Sequence, residues 1–180
     1  MEIRILTDQD VEEFVRLRKE ALTLELHAFG RHPEDSPPLT PENAMSRLQV
    51  VPEGNFVVGA FMGQEMVGQT GFMRQEGRKM RHKGFIWGVY VTPAARGQGV
   101  SKAMLTFMLD RVRGYPGLEQ VVLSVSTLQE AARGLYTSLG FEVYGYEKNA
   151  LKVGDTYIDE EHRVLWLHAM PSTEGESAKS

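Results

Sequence analysis

Polar and apolar residues alternate over Ile3 to Leu6, and the period then changes, with Val11, Phe14, Leu17, Ala21 and Leu24 recurring every three or four positions. The first pattern predicts a short strand and the second an amphipathic helix that Thr7 or Asp8 can cap. Between Phe29 and Pro41 periodicity is lost among proline, acidic and histidine residues, which predicts a loop, with a short helix around Glu42 to Val50 after it. Phe56 to Phe61 and Met66 to Arg74 are β-rich runs joined by Met62-Gly63-Gln64-Glu65, the pattern of a tight hairpin. Gln75 to Lys83 is a polar connection, and Phe85 to Val91 is the next strand.

The helical period returns over 98–113, where Val100, Met104, Phe107 and Met108 are expected on the packed side and Lys102, Asp110 and Arg113 on other faces. The methionines read as core fillers. Gln120 to Ser126 is a strand, Leu128 to Leu139 a helix, and Phe141 to Leu151 a strand leading through Gly154-Asp155 into Tyr157 to Leu167. No segment repeats, and Pro171 to Ser180, rich in serine, glutamate, glycine and lysine, reads as a flexible C-terminal tail. This order is neither a run of βαβ units nor an all-β pattern, so the expected class is α/β, a mixed sheet flanked by helices. At 180 residues, 42% of them hydrophobic, the chain can bury one substantial core, which makes residues 1–170 a single domain.

Charge and cysteine content narrow the function. The net charge of −4, with no long basic run, argues against a nucleic-acid binder. Without cysteine there is no disulfide framework, no thiolate metal site and no cysteine nucleophile. His27 and His32 stand too far apart in helical register for a metal site, and no metal is expected. The charged start Met1-Glu2-Ile3-Arg4 and the lack of any run near about 18 apolar residues show neither signal peptide nor membrane span, so the expected compartment is the cytoplasm.

The most informative stretch is Val91-Thr92-Pro93-Ala94-Ala95-Arg96-Gly97-Gln98-Gly99-Val100-Ser101, which joins a strand to a long helix through a basic, glycine-bearing turn. Gly97 and Gly99 let backbone approach a ligand, the first helical amides lack intrahelical partners, and the helix dipole and Arg96 add positive potential. Such a turn suits a phosphate. It is neither a Walker A loop, which needs four residues before a Gly-Lys-Ser/Thr run, nor a dinucleotide fingerprint, which needs glycine where Lys102 stands.

This stretch resembles the acyl-CoA pyrophosphate loop of the GNAT N-acetyltransferase superfamily, Arg/Gln-x-x-Gly-x-Gly/Ala, met by Arg96 and Gly99 with Ser101 in the last small position. Gln129-Glu130-Ala131-Ala132-Arg133-Gly134-Leu135-Tyr136, closing in Gly140-Phe141, is similar to the family's second hallmark, with Gln129 where asparagine is usual. The resemblance implies the GNAT fold, in which parallel strands four and five, here Phe85–Val91 and Gln120–Ser126, splay apart to admit acetyl-CoA as co-substrate. It implies cofactor contacts from the backbones of Val89 and Val91, from Arg96, Gly97, Gln98, Gly99, Val100 and Ser101, and from Gln129 and Tyr136. Lys102 is equally readable as a phosphate contact or a solvated helix residue.

The chemistry the family implies is direct attack of an amine on a thioester, without a covalent enzyme intermediate. Backbone N–H of Val89 or Tyr90 would stabilise the carbonyl oxygen, and Tyr136 would protonate the leaving thiolate, ordinary phenol and thiol pKa values lying within roughly two units. Tyr136 also reads as a packing residue, because Ala132, Leu135, Tyr136 and Leu139 share one helical face. Strand four carries no carboxylate, and Glu25, Glu34, Asp35, Glu76 and His82 all stay open as the general base. The run Ala150 to His162 resembles the last hairpin of small bacterial GNAT proteins, where it borders the acceptor; Asp159 and Glu160 there would favour a cationic acceptor, or merely form a solvated edge.

The expected activity is acetyl transfer from acetyl-CoA to the amine of a small molecule or peptide. A CoA-binding regulatory module without turnover and an O-acyltransferase are the alternatives. No nucleic-acid or membrane partner is expected, and a homodimer is an assembly left open.

Overall fold

The structure, a computed structural model, describes residues 1–35 and 37–168. The tail expected at 171–180 lies outside the described residues. Seven strands make one sheet in the order β1-β2-β3-β4-β5-β7-β6. They are β1 Glu2–Ile5, β2 Phe56–Met62, β3 Glu65–Arg74, β4 Lys83–Val91, β5 Gln120–Ser126, β6 Glu142–Val153 and β7 Thr156–Trp166. The helices are α1 Val11–Leu24, α2 Pro41–Leu48, α3 Val100–Val112 and α4 Glu130–Ser138. All neighbours pair antiparallel except β4 and β5, which are parallel.

Strand alternation divides the interior into two cores. On β2, Phe56, Val58 and Ala60 face a core shared with α3, while Val57 and Phe61 face one shared with α1 and α2. Phe14, Leu17 and Ala21 of α1 bury completely in the second core, as their spacing predicts. On α3 the buried stripe runs through Val100, Met104, Leu105, Met108, Leu109 and Val112. Phe107, expected on that stripe, is instead 36% exposed. The stripe is centred between Leu105 and Met108, and the steps of 3.6 residues per turn carry Phe107 past its edge.

Two irregularities in β4 position the site. Its parallel ladder with β5 comprises Lys83↔Gln120, Gly84↔Val121 and Phe85↔Val122 and then stops, although β4 runs on to Val91 and β5 to Ser126. The two strands therefore splay, leaving backbone polar groups along the gap in need of partners. On its other edge β4 bulges: Trp87 pairs with Gly71 and Tyr90 with Gln69, so Gly88 and Val89 oppose Thr70 alone. Gly88 takes φ +63°, a left-handed conformation that glycine adopts without penalty. Among the described residues no helix is long and apolar enough to cross a membrane.

Candidate active site

A single turn of 3-10 helix, Pro93–Ala95, leads from β4 into the glycine turn. Gly97 and Gly99 have φ of +73° and +78°, and a Cβ at either would meet no atom within 4 Å. Left-handed backbone and open space together make a concave surface with no side chain in it. Gly99 caps α3, and the first intrahelical bond is Ala103 N–H to Gly99 C=O, so the amides of Val100, Ser101 and Lys102 precede the ladder. These residues, with Arg96, line a cavity of about 480 Å³ between α3 and α4. Amides, helix dipole and the Lys102 side chain make that end of the cavity electropositive.

Two of the predicted contacts are placed differently. The Gln98 side chain is absent from the cavity wall, its amide donating to Ala94 C=O at 3.1 Å. The Arg96 guanidinium folds back, Nε donating to Val91 C=O at 3.0 Å and Nη2 to Glu25 Oε1 at 2.7 Å. Glu25 also accepts from Gln129 Nε2 at 3.3 Å, so one carboxylate at the end of α1 ties together both sequence motifs. An anion entering here would exchange with Glu25 for Arg96.

A second cavity, about 330 Å³, opens on the α1 side of the sheet. The two share Ala28, Phe29, Val89, Gln129, Ala132 and Tyr136 as a common wall and so meet at the β4–β5 gap. Tyr136 stands at that junction, 5% exposed, with its ring edge-on to Phe141 at 5.9 Å. Burial raises its phenol well above the ordinary tyrosine value, against a smaller opposing effect of Arg163. The ordinary match between phenol and thiol is thus shifted here, although burial raises a thiol in the same direction. Tyr136 holds its proton at neutral pH.

Tyr136 is fixed through α4 by a partly buried ion network. Arg163 of β7, 5% exposed, donates to Thr137 Oγ1 at 2.8 Å and Arg133 C=O at 3.0 Å on α4. Glu161 pairs with both Arg163 and Arg133. The Arg133 hydrogen bond, helped by Arg163, holds the Glu161 carboxyl below the usual carboxylate range despite burial.

Besides Gln129, the α1-side chamber carries polar side chains from three further segments. Ser124 and Ser126 come from β5, Glu160 from β7 and Arg18 from α1. Behind Ser124 runs a file of hydrogen bonds, Ser124 Oγ to His162 Nδ1 at 2.8 Å and His162 Nε2 to Glu147 at 3.1 Å, ending at an exposed carboxylate. Burial pushes the Glu160 carboxyl up. Asp159 is not on this wall: it accepts from Tyr146 Oη and from the Asn149 amide, pinning the β6–β7 hairpin. Of the open base candidates Glu25 alone lines either cavity; Glu34, Asp35, Glu76 and His82 line neither. Among the described residues no group of three or more His, Cys, Asp or Glu is placed to hold a metal.

Sequence reasoning missed Arg18, Ser124 and His162. Arg18 had a readable signal, because it sits four after Phe14 and three before Ala21, a charge on the buried stripe of α1. Ser124 and His162 had none, since the pairing of β5 with β7 that joins them links residues 38 apart.

Residues 14–141 match the model of the acetyltransferase (GNAT) family. The chain is 34% identical over 113 residues to the N-alpha-acetyltransferase RimI of Mycobacterium tuberculosis, covering 63% of this chain and 68% of that protein. It is 31% identical over 112 residues to human N-acetyltransferase 8B, a match of 62% of this chain that spans about half, 48%, of the relative. The fold superposes on that of yncA from Salmonella typhimurium, a putative acetyltransferase solved with its cofactor acetyl-CoA, with a TM-score of 0.80 at 22% identity over 96% of this chain and 98% of that one. With the splayed parallel strands, the glycine turn opening α3 and the tyrosine helix behind them, these matches establish that the chain belongs to the GNAT acetyltransferase family.

Proposed function

We propose that the protein is an N-acetyltransferase that uses acetyl-CoA and acts on the amine of a small molecule. One observation carries this reading: two cavities, one with an anion cradle and one with ionisable groups, meet at Tyr136 through the β4–β5 gap. The cradle fits a pyrophosphate, since Gly97 and Gly99 leave open the space that a Cβ would fill and three amides lie ahead of the α3 ladder. The stretch of β4 beyond its β5 ladder, at Val89 and at the N–H of Val91, whose carbonyl already accepts from Arg96, suits the pantetheine amides in the manner of an added strand. Bound acetyl-CoA would supply an activated acetyl thioester at the gap.

The chain's own groups handle the protons. An amine must lose a proton to attack, because an alkylamine is mostly protonated below its pKa of about 10. The Ser124–His162–Glu147 file gives that proton a route from the chamber to solvent. As the C–N bond forms and the C–S bond breaks, Tyr136 donates its phenolic proton to the sulfur and is reprotonated from solvent. Of the two expected donors, Tyr90 is paired with Gln69 of β3, so the backbone N–H of Val89, on the β5 side of the strand, would stabilise the developing oxyanion.

Thiol release from acetyl-CoA across a panel of amines tests the activity, and Tyr136→Phe tests the acid. The substitution keeps the ring packed on Phe141, so thermal stability and acetyl-CoA affinity should hold while single-turnover thiol release falls roughly 10²-fold. Equal release by the variant would make Tyr136 a packing residue.

A further inference from the structure

Arg18 is 7% exposed, and its Nε and Nη1 are sealed from solvent with no hydrogen-bond partner. A buried charge without a partner is costly, so such a group is kept where something else completes it. The charged neighbours acting on it are Arg47 and Arg31, both cations, and among the described residues no carboxylate forms an ion pair with it. Burial and those two charges bring its pKa down to about 10, which still leaves it charged at neutral pH. Phe29 and Trp87 lie against the guanidinium, at 4.7 and 5.9 Å from their ring centroids. The β4 bulge brings backbone up to it: a Cβ on Gly88 would stand 3.1 Å from Nη1. A guanidinium packed beside two aromatic rings and lacking a protein partner is short of the oxygen acceptor its planar fork fits, and a carboxylate reaching it from the chamber would supply one.

The same chamber holds a charge of opposite sign at another wall. Glu160 has His162 and Glu147 as its charged neighbours, not Arg18, so the two groups face the cavity separately instead of neutralising each other. At about 330 Å³ the chamber is near the small end of ligand pockets and suits a compact molecule better than a peptide chain.

We infer that this chamber binds a small amine that also carries a carboxylate, an amino acid or a close analogue, with the carboxylate on Arg18 and the amine toward Glu160 and the β4–β5 gap. The assignment rests on the acetyl-transfer reading above and names its acceptor class. It narrows the cationic acceptor expected beside Asp159 and Glu160 to one that also carries a carboxylate and meets Glu160 alone.

The test uses the CoA-loaded protein, titrated with amino acids, their carboxamides and the amines lacking the carboxyl group, and followed by calorimetry and thermal shift. At least one amino acid should bind, with its carboxamide at least tenfold weaker, and Arg18→Met should abolish that preference while Arg18→Lys keeps part of it. Carboxamides binding as well as acids, no acid binding at all, or a preference that survives Arg18→Met would overturn the assignment. The wild-type comparison decides the matter even if the variant does not fold. CoA binding in the first step separates the two levels: a protein that takes CoA but no amino acid refutes the acceptor class alone, and one that takes neither refutes the acetyl-transfer reading beneath it.

Discussion

Two charged side chains set the character of the α1-side chamber, and both sit where a folded chain would rather have none. Arg18 occupies the buried stripe of α1 and Glu160 is held in a partly desolvated wall of β7. For Glu160, desolvation is the largest cause of the raised pKa, with Glu147 adding to it and His162 opposing. A carboxyl whose folded pKa lies above its unfolded value, about 4.3, binds its proton more tightly in the native state. Its stabilising contribution is therefore complete below that pH and is lost as pH rises through the folded pKa. Glu160→Gln, which cannot ionise, should melt above wild type at pH 7 and converge with it near pH 4. Melting curves at the two pH values check this, and coincident curves at pH 7 would show that the Glu160 charge carries no penalty in the fold.

Whole elements were legible where the information is local. The glycine turn and α4 can be read from neighbouring residues, because φ > 0 demands glycine and a helix shows its buried face every three or four positions. Gln120–Ser126 emerged with its observed bounds. Local reading failed at side-chain direction: Phe107 fell off the packed stripe, and Gln98 turned back onto its own loop. At the level of this turn, Arg96→Ala should weaken acetyl-CoA by about 1.5 kcal/mol, the low end for a charge-assisted hydrogen bond because Glu25 must be displaced first. Gly99→Val should cost more, since a β-branched residue is strained at φ +78° and its side chain enters the cradle. Titration calorimetry of both variants measures this, and unchanged affinities would reduce the loop to a plain strand-to-helix turn.

At the scale of the molecule, what could not be read is what depends on strand order. Arg18, Ser124 and Glu160 come to one chamber only because α1 packs over the face of β4 while β7 crosses back to lie beside β5. No spacing along the chain announces that meeting, whereas the GNAT resemblance at two motifs announced the fold through family membership. The proposed function makes one demand above others, that the β4–β5 gap and the cradle at α3 together receive acetyl-CoA. A ligand selective for the folded state raises its stability by mass action, about 2.7 kcal/mol at a hundred times Kd. The most direct measurement is the melting temperature against acetyl-CoA concentration, with adenosine as the control that lacks phosphates. A dose-dependent rise with acetyl-CoA and none with adenosine is expected, and no rise at saturating acetyl-CoA would contradict the assignment of this cleft.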